Sequence, residues 1–192
     1  MKTRLVFLAA LSALAGCMGA APKAQKNWVL EWKAPATAAR VARPFLPAAR
    51  LQRLEVRPPY NDTRLAVLRA DGSVAFDPCN GFAAQPASLL RGAALDALEA
   101  SGTFEYMVPA GSSSAAPASV EAVVTRLALD CRDKGRRDAS VAVTLALVEG
   151  RAVVSTAAGE SSVPVKGGDY SAAFSKAFSQ AMTAAVRGLD AK

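Results

Sequence analysis

The chain has 192 residues, a formal net charge of +7 and no histidine. A chain of this length has room for one domain with a hydrophobic core. Because histidine is absent, the chain lacks the usual general base and the commonest imidazole metal ligand, which argues against enzymes that depend on either. We therefore predict a protein that is not an enzyme, with no catalytic residue and no metal site.

The first residues predict export from the cytoplasm. Lys2 and Arg4 precede an apolar run over residues 5–14, which has the length of a signal-peptide core and is too short to span a bilayer. The run ends in Leu14-Ala15-Gly16-Cys17, which resembles the bacterial lipobox. The resemblance implies a lipoprotein signal peptide over residues 1–16, with diacylglycerol and an acyl chain such as palmitate on Cys17. The alternative is an ordinary secretory signal beside a chance cysteine.

The lipid on Cys17 is the predicted membrane anchor. Met18 stands where an aspartate would resemble an inner-membrane retention signal, so the periplasmic face of the outer membrane is favoured. Residues 17–27 lack periodicity and are interpreted as a lipid-anchored tether, and residues 28–192 as a single α+β periplasmic domain. An exported protein does not meet nucleic acid, so a basic surface predicts binding to anionic lipid headgroups or to an acidic protein.

The first part of the domain predicts strands and carries much of the basic charge. Alternating sequence predicts strands over 28–32 and 51–57, and a hairpin with a type I′ turn at Asp71-Gly72 joins 64–69 to 73–76. The predicted contacts with a partner or with lipid headgroups are Arg53, Arg57, Arg64 and Arg69. The alternative is that these arginines are solvated positions at strand edges and in loops.

The second part predicts two helices separated by long strands. Apolar residues recur at helical spacing from Pro86 to Ser101, with Gly102 as the stop, and strands follow over 104–108, 120–131, 139–149 and 151–165. A second amphipathic helix is predicted from a cap at Asp169 to about Arg187, with Gly188 as its stop. This order predicts an α+β fold, with a mainly antiparallel sheet and two amphipathic helices packed on one face.

Two cysteines remain after the one assigned to the lipid. Cys79 and Cys131 are an even pair in an oxidising compartment, and we predict that they form a disulfide. The alternative is two unpaired thiols, because nothing in the sequence fixes the distance between them.

A series of features resembles the ABC-type transport auxiliary lipoprotein family, the PqiC-like lipoproteins that accompany MCE-type intermembrane lipid transporters. These features are the lipobox, Trp28-Val29-Leu30, Arg53-Leu54-Glu55-Val56, the Pro-Pro-Tyr of 58–60 and the unit over 101–108. The resemblance implies a non-catalytic auxiliary component with MCE-domain or ABC transporter subunits as partners, assembled in a homo-oligomeric ring. The alternative is an envelope lipoprotein of a secretion or assembly machine, with a TolB-like or curli-secretion-like α+β domain.

Overall fold

The structure is a computed structural model that describes residues 25–31 and 46–190. Its elements, in chain order, are β1 (Lys26–Trp28), β2 (Leu46–Val56), β3 (Arg64–Leu68), β4 (Val74–Phe82), α1 (Pro86–Ser101), β5 (Phe104–Met107), β6 (Ala118–Asp130), β7 (Asp138–Glu149), β8 (Ala152–Pro164) and α2 (Tyr170–Asp190). The predicted signal peptide and Cys17 lie outside the described residues, as does most of the predicted tether. No helix within the described ranges is long and apolar enough to cross a membrane.

The first helix has the predicted bounds because its signals are local. A proline occupies the first turn, where its missing N–H costs no hydrogen bond. Gly102 follows the last turn with a φ of 71°, and its N–H donates to the carbonyl of Glu99. Glycine adopts this left-handed conformation without a steric penalty, so it ends the helix there.

The second helix begins where predicted and ends later. The Asp169 carboxylate accepts the N–H of Ala172 at 2.9 Å, which confirms the predicted cap. The predicted stop at Gly188 is wrong, because α2 continues to Asp190. A Cβ at Gly188 would lie 2.8 Å from the Cβ of Ala157 on β8, so this glycine permits close packing of the helix on the sheet.

The described strands form one mixed sheet of eight strands, and the prediction of a mainly antiparallel sheet is wrong. Four of the seven strand pairs are parallel: β1 with β4, β2 with β5, β2 with β6, and β3 with β6. The antiparallel pairs are β3 with β4, β6 with β7, and β7 with β8. Each antiparallel pair is a hairpin of two strands that are consecutive in the sequence. The parallel pairs instead join strands that are distant along the chain.

Strand β6 organises the sheet. One of its edges pairs with β7 over its whole length, while the other pairs with β2 in its first half and with β3 in its second. Its register against β7 shifts between Val124 and Arg126, which inserts Thr125 as an extra residue. The buried set therefore changes from Val120, Ala122 and Val124 to Leu127 and Leu129, so strict alternation does not describe this strand.

Both helices cover the same face of the sheet. Helix α1 packs on β2 and β5, α2 packs on β7 and β8, and the two helices contact each other. Their apolar stripes meet the alternating apolar side chains of the strands in one continuous core. The largest fully buried side chains include Phe174, Phe178, Leu90, Leu98, Leu127 and Leu145. We call the other side of the sheet, on which no described element packs, the open face.

The hairpin between β3 and β4 has a different turn from the one predicted. The N–H of Gly72 donates to the carbonyl of Arg69, and Gly72 has a φ of 81°. A type I′ turn would also need a positive φ at Asp71, and among the described residues only glycines have one. The geometry is that of a three-residue loop in which a type I turn precedes a left-handed glycine.

Candidate functional site on the open face of the sheet

The open face carries arginines that are held by carboxylates. Arg126 on β6 reaches across β7 to Glu160 on β8, with 2.6 Å between its Nη2 and the carboxylate Oε2. The Arg126 side chain is 29% exposed and that of Glu160 74%. The bulge at Thr125 places Arg126 on this face, because the residues that precede and follow it in the core are Val124 and Leu127. This pair spans the open face from β6 to β8, a strand at the edge of the sheet.

The guanidinium of Arg126 is only partly satisfied. Its Nε is buried and has no hydrogen-bond partner in the part of the chain that the structure describes. A buried N–H without a partner is unfavourable, so the burial of this part of the guanidinium is not fully compensated by hydrogen bonds. Because this Nε has almost no contact with solvent, a ligand or partner can reach only the exposed part of the Arg126 side chain, which is 29% exposed as a whole.

A second cluster lies at the end of β6. Arg132 binds the Asp130 carboxylate with two parallel hydrogen bonds, Nε to Oδ1 at 3.0 Å and Nη2 to Oδ2 at 2.6 Å. These hydrogen bonds lower the pKa of Asp130, although partial burial acts in the opposite direction. Asp138 lies directly opposite Asp130 on β7, and its Oδ2 accepts a hydrogen bond from Arg136 at 2.7 Å. Two arginines thus balance two adjacent carboxylates.

A groove connects the Arg126 pair with the Asp130 cluster. It has a volume of about 350 Å³ and is lined by Arg126, Asp130, Arg132, Ser140, Glu160, Ser161 and Ser162. Its walls present guanidinium donors, carboxylate acceptors and hydroxyl groups that can do both. Such a surface suits a ligand or partner with several hydrogen-bonding groups of both kinds. No group of three or more residues suited to hold a metal ion occurs within residues 25–31 and 46–190.

The four predicted contact arginines separate into two kinds. Arg53 forms an ion pair with Glu55 on β2, and Arg64 binds Asp62 with Nε to Oδ1 at 3.1 Å and Nη2 to Oδ2 at 2.7 Å. The Cζ of Arg64 also lies 4.2 Å from the ring centroid of Phe76, a cation–π contact. Hydrogen bonds from Arg64 lower the pKa of Asp62 to about 2.

Arg57 and Arg69 are the other kind. Both are exposed and follow the last residues of β2 and β3. Neither forms an ion pair with any carboxylate of the described chain. The structure therefore does not gather the four predicted arginines into one basic cluster. Two are neutralised by carboxylates in their own segments, and the other two are exposed cations at strand ends.

The two remaining cysteines are free and partly buried, so the predicted disulfide is absent from the structure. Cys79 belongs to β4, while the N–H of Cys131 donates to the carbonyl of Leu68 on β3 just beyond the end of β6. Strand β3 lies between them. Neighbouring strands are roughly 4.8 Å apart, so two spacings amount to roughly 9.5 Å. A disulfide joins Cα atoms separated by about 4.4–6.8 Å, which this strand order does not provide.

Arg126 and its neighbours were not among the predicted contact residues. In the sequence Arg126 occupies one polar position within a long apolar strand, and its partner is 34 residues away. A polar residue at a position that simple alternation assigns to the core is a signal of a bulge. The identity of the partner follows only from the registers of two strand pairs, which the sequence does not show.

No family model matches this chain, and no curated protein matches its sequence. Among solved structures, a Xanthomonas campestris protein described as family DUF330 superposes with a TM-score of 0.63 at 16% identity, over 85% of this chain and 92% of its own. A structure described as an uncharacterized protein gives a TM-score of 0.58 at 10% identity, over 87% and 95% of the two chains. At these identities the similarity shows a shared fold.

A weaker similarity links the chain to PelC from Paraburkholderia phytofirmans, solved as a dodecamer. The TM-score is 0.45 at 15% identity, over 79% of this chain and 92% of the PelC chain.

Proposed function

We propose that this chain is a lipid-anchored, non-catalytic auxiliary component of an ABC/MCE-type intermembrane lipid transport system. In this proposal Cys17 carries the lipid, the domain lies at the periplasmic face of the outer membrane, and a protein subunit of the system docks on the open face. The family resemblance of the sequence supports the system, and the array of arginine–carboxylate pairs on the open face supports a docking role.

The charge balance of the open face favours a protein partner over lipid headgroups. Arg53, Arg64, Arg126 and Arg132 each contact a carboxylate, so the face is a mixed-charge surface. Binding to an anionic membrane surface gains about 1 kcal/mol for each unpaired basic residue near it, and paired arginines give little of that attraction. A protein surface can instead supply both carboxylates and donors, matched to these pairs.

Arg57 and Arg69 are the cations best placed to attract an acidic partner. They are exposed, and neither forms an ion pair within the described part of the chain, although Arg69 is near enough to Asp71 to help lower the pKa of that carboxyl. Charges at the rim of an interface chiefly steer encounter and fix orientation. The double variant R57E/R69E should therefore weaken capture of the partner without affecting the fold.

The experiment is affinity purification of the tagged, lipidated protein from native membranes, followed by mass spectrometry. We expect an MCE-domain protein or an ABC transporter subunit with the wild type, and its loss with R57E/R69E. The matched control is R151E, since Arg151 is exposed in the turn between β7 and β8. Recovery of secretion or assembly components instead would replace this function with the alternative. Equal recovery with R57E/R69E would exclude these two arginines from the docking site.

The anchor is tested separately. The C17S variant should lose co-sedimentation with outer-membrane markers on a density gradient, whereas wild-type protein should keep it. Co-sedimentation of C17S with the outer-membrane markers would contradict lipidation at this cysteine. A homo-oligomeric ring is part of the proposal, and chemical cross-linking of the same membranes should then give a ladder of multiples of the chain mass.

A further inference from the structure

Three strands of the sheet have only one described neighbouring strand, and they differ in length. Each of β1, β5 and β8 pairs on one side only with a described strand. Strands β1 and β5 have 3 and 4 residues, whereas β8 has 13. An edge presents unpaired N–H and C=O groups that can pair with another chain, and short edge strands are one way in which proteins prevent this. Strand β8 has no such protection by length.

The sequence of β8 also lacks the residues that usually protect an edge. Between Ser155 and Val163 there is no lysine, arginine or proline, and the only charged residue is Glu160, which Arg126 binds. The irregularities of the strand are at its ends, because the register shift lies near Val154 and Pro164 is its last residue. The middle of β8 is therefore a regular, nearly uncharged edge of small side chains.

Helix α2 covers the face of β8 and places neutral side chains beside the middle of this edge. Its Lys176 lies towards one end of the strand, where it lines a pocket with Val163 and Pro164. A Cβ at Gly159 would lie 2.1 Å from the carbonyl oxygen of Ala181, so the helix contacts the strand at its centre. Beside this contact lie Ala184 and Gln180, whose side-chain oxygen accepts a hydrogen bond from Ser161 at 2.6 Å. A second chain approaching the middle of the edge meets no charged group of α2 at these positions.

We infer that β8 pairs with β8 of a second copy of this chain, antiparallel and about a two-fold axis. An isologous contact requires a surface that is complementary to itself, and a long strand of small, neutral residues meets that requirement. The single Glu160 lies directly opposite a like charge only if the axis passes through it, so every other register avoids direct opposition of the two carboxylates. The contact would join two sheets of eight strands into one.

The symmetry makes a strict geometric prediction. Residues directly opposite each other in an antiparallel pair project to the same face. With the axis perpendicular to the sheet, the positions of two opposed residues must then add to an even number. One residue of β8 therefore meets its own copy, and its neighbours meet in symmetric pairs. Opposed Cα atoms are about 4.5–5.5 Å apart, which lies within the range that a disulfide spans.

The test introduces cysteines on the open-face side of β8 in full-length, lipidated protein, with Cys79 and Cys131 replaced by serine. The positions are Thr156, Ala158 and Ser162, tested singly and with T156C/A158C and T156C/S162C combined. The matched control is T144C, because Thr144 is the direct neighbour of Ala158 on β7, one strand inside the edge. Mild oxidation of native membranes precedes separation on a non-reducing gel.

At least one β8 variant should show a doubling of the apparent mass that a reductant reverses, while T144C remains at the mass of one chain. Absence of the dimer from all β8 variants would overturn the inference, as would an equal yield with T144C. A cross-link of β8 to a different protein would assign the edge to that chain and reject self-pairing. A two-fold contact closes at two copies, so a ring would need a second, different contact.

Discussion

The carbonyl oxygen of Ala181 lies 2.1 Å from the point that a Cβ at Gly159 would occupy. The same imagined Cβ would lie 2.6 Å from the backbone nitrogen of Ala185. Both neighbours are backbone atoms of α2, which cannot rotate away as a side chain could. The glycine therefore sets the distance between the helix and β8, and it allows the backbone of α2 to lie directly on the strand.

G159A should consequently destabilise the domain by about 1–3 kcal/mol, the usual cost of inserting a group into a well-packed interior. The matched control is G92A. Gly92 is exposed on α1 with nothing within 4 Å of an added Cβ, and alanine in a helix is more favourable than glycine by about 0.5–1 kcal/mol. Urea denaturation followed by circular dichroism measures both. Equal stabilisation by the two variants would show that α2 is free to move away from β8.

A feature of this fold is predictable from the sequence when the residues that determine it lie within one segment of the chain. Helix α1 was predicted with its observed bounds because a proline, an apolar period and Gly102 act within one segment. Gly188 is a glycine like Gly102, but it does not end its helix. It lies against Ala157 on β8, which is distant in the sequence. The sequence does not distinguish a glycine that ends a helix from one that permits close packing.

Strand pairing shows the same limit. The hairpin of β6 and β7 is adjacent in the chain and is joined by polar turn residues, which the sequence displays. The parallel pairs of β6 with β2 and with β3 depend on how distant segments pack, and no local residue records them. The Arg126–Glu160 pair depends on those registers and on the bulge at Thr125, so this part of the candidate site was not predictable from alternation alone.

Asp62 provides a test of the open-face geometry through its pH dependence. Its folded-state pKa of about 2 lies below the ordinary value of 3.8, first because Arg64 donates side-chain hydrogen bonds to it. The lowered pKa means that the contribution to stability is complete above the unfolded pKa and is lost as the pH falls through the folded pKa. The stability that ionised Asp62 contributes should therefore be lost as the pH falls from about 4 to about 2.

Carboxyl carbon NMR of Asp62 measures this directly. The midpoint should lie near 2 in the wild type and rise towards 3.8 in R64L, where the donor is removed. The comparison variant is R53L, which removes an arginine of the same face that binds Glu55 instead. An unchanged midpoint in R64L would show that the Asp62–Arg64 contact is not formed in solution.

The state of the cysteines is checked by counting reactive thiols. Cys79 and Cys131 are free and lie on either side of β3, so denatured, non-reduced protein should take up two maleimide groups in addition to any modification at Cys17. The variants C79S and C131S should each take up one. Reductant should not change the gel mobility of the wild type. Labelling that appears only after reduction would restore the disulfide predicted from the sequence.

The residues after β1 fasten the start of the domain to α2, and two serines make the contacts. Ser171 donates its hydroxyl to the carbonyl of Val29 at 2.6 Å, and the N–H of Glu31 donates to the Ser175 hydroxyl at 3.0 Å. Ser175 is buried, so its loss leaves the Glu31 amide without this acceptor and should cost about 1 kcal/mol.

The double variant S171A/S175A should therefore accelerate hydrogen exchange in the peptide over residues 25–31 by about 5- to 30-fold if opening becomes easier by about 1–2 kcal/mol. The core strand β7 should exchange as in the wild type. The matched control is S161A, which removes the serine hydroxyl that binds Gln180 on the other flank of α2. Unchanged exchange in residues 25–31 of S171A/S175A would mean that pairing of β1 with β4 holds this segment without the serines.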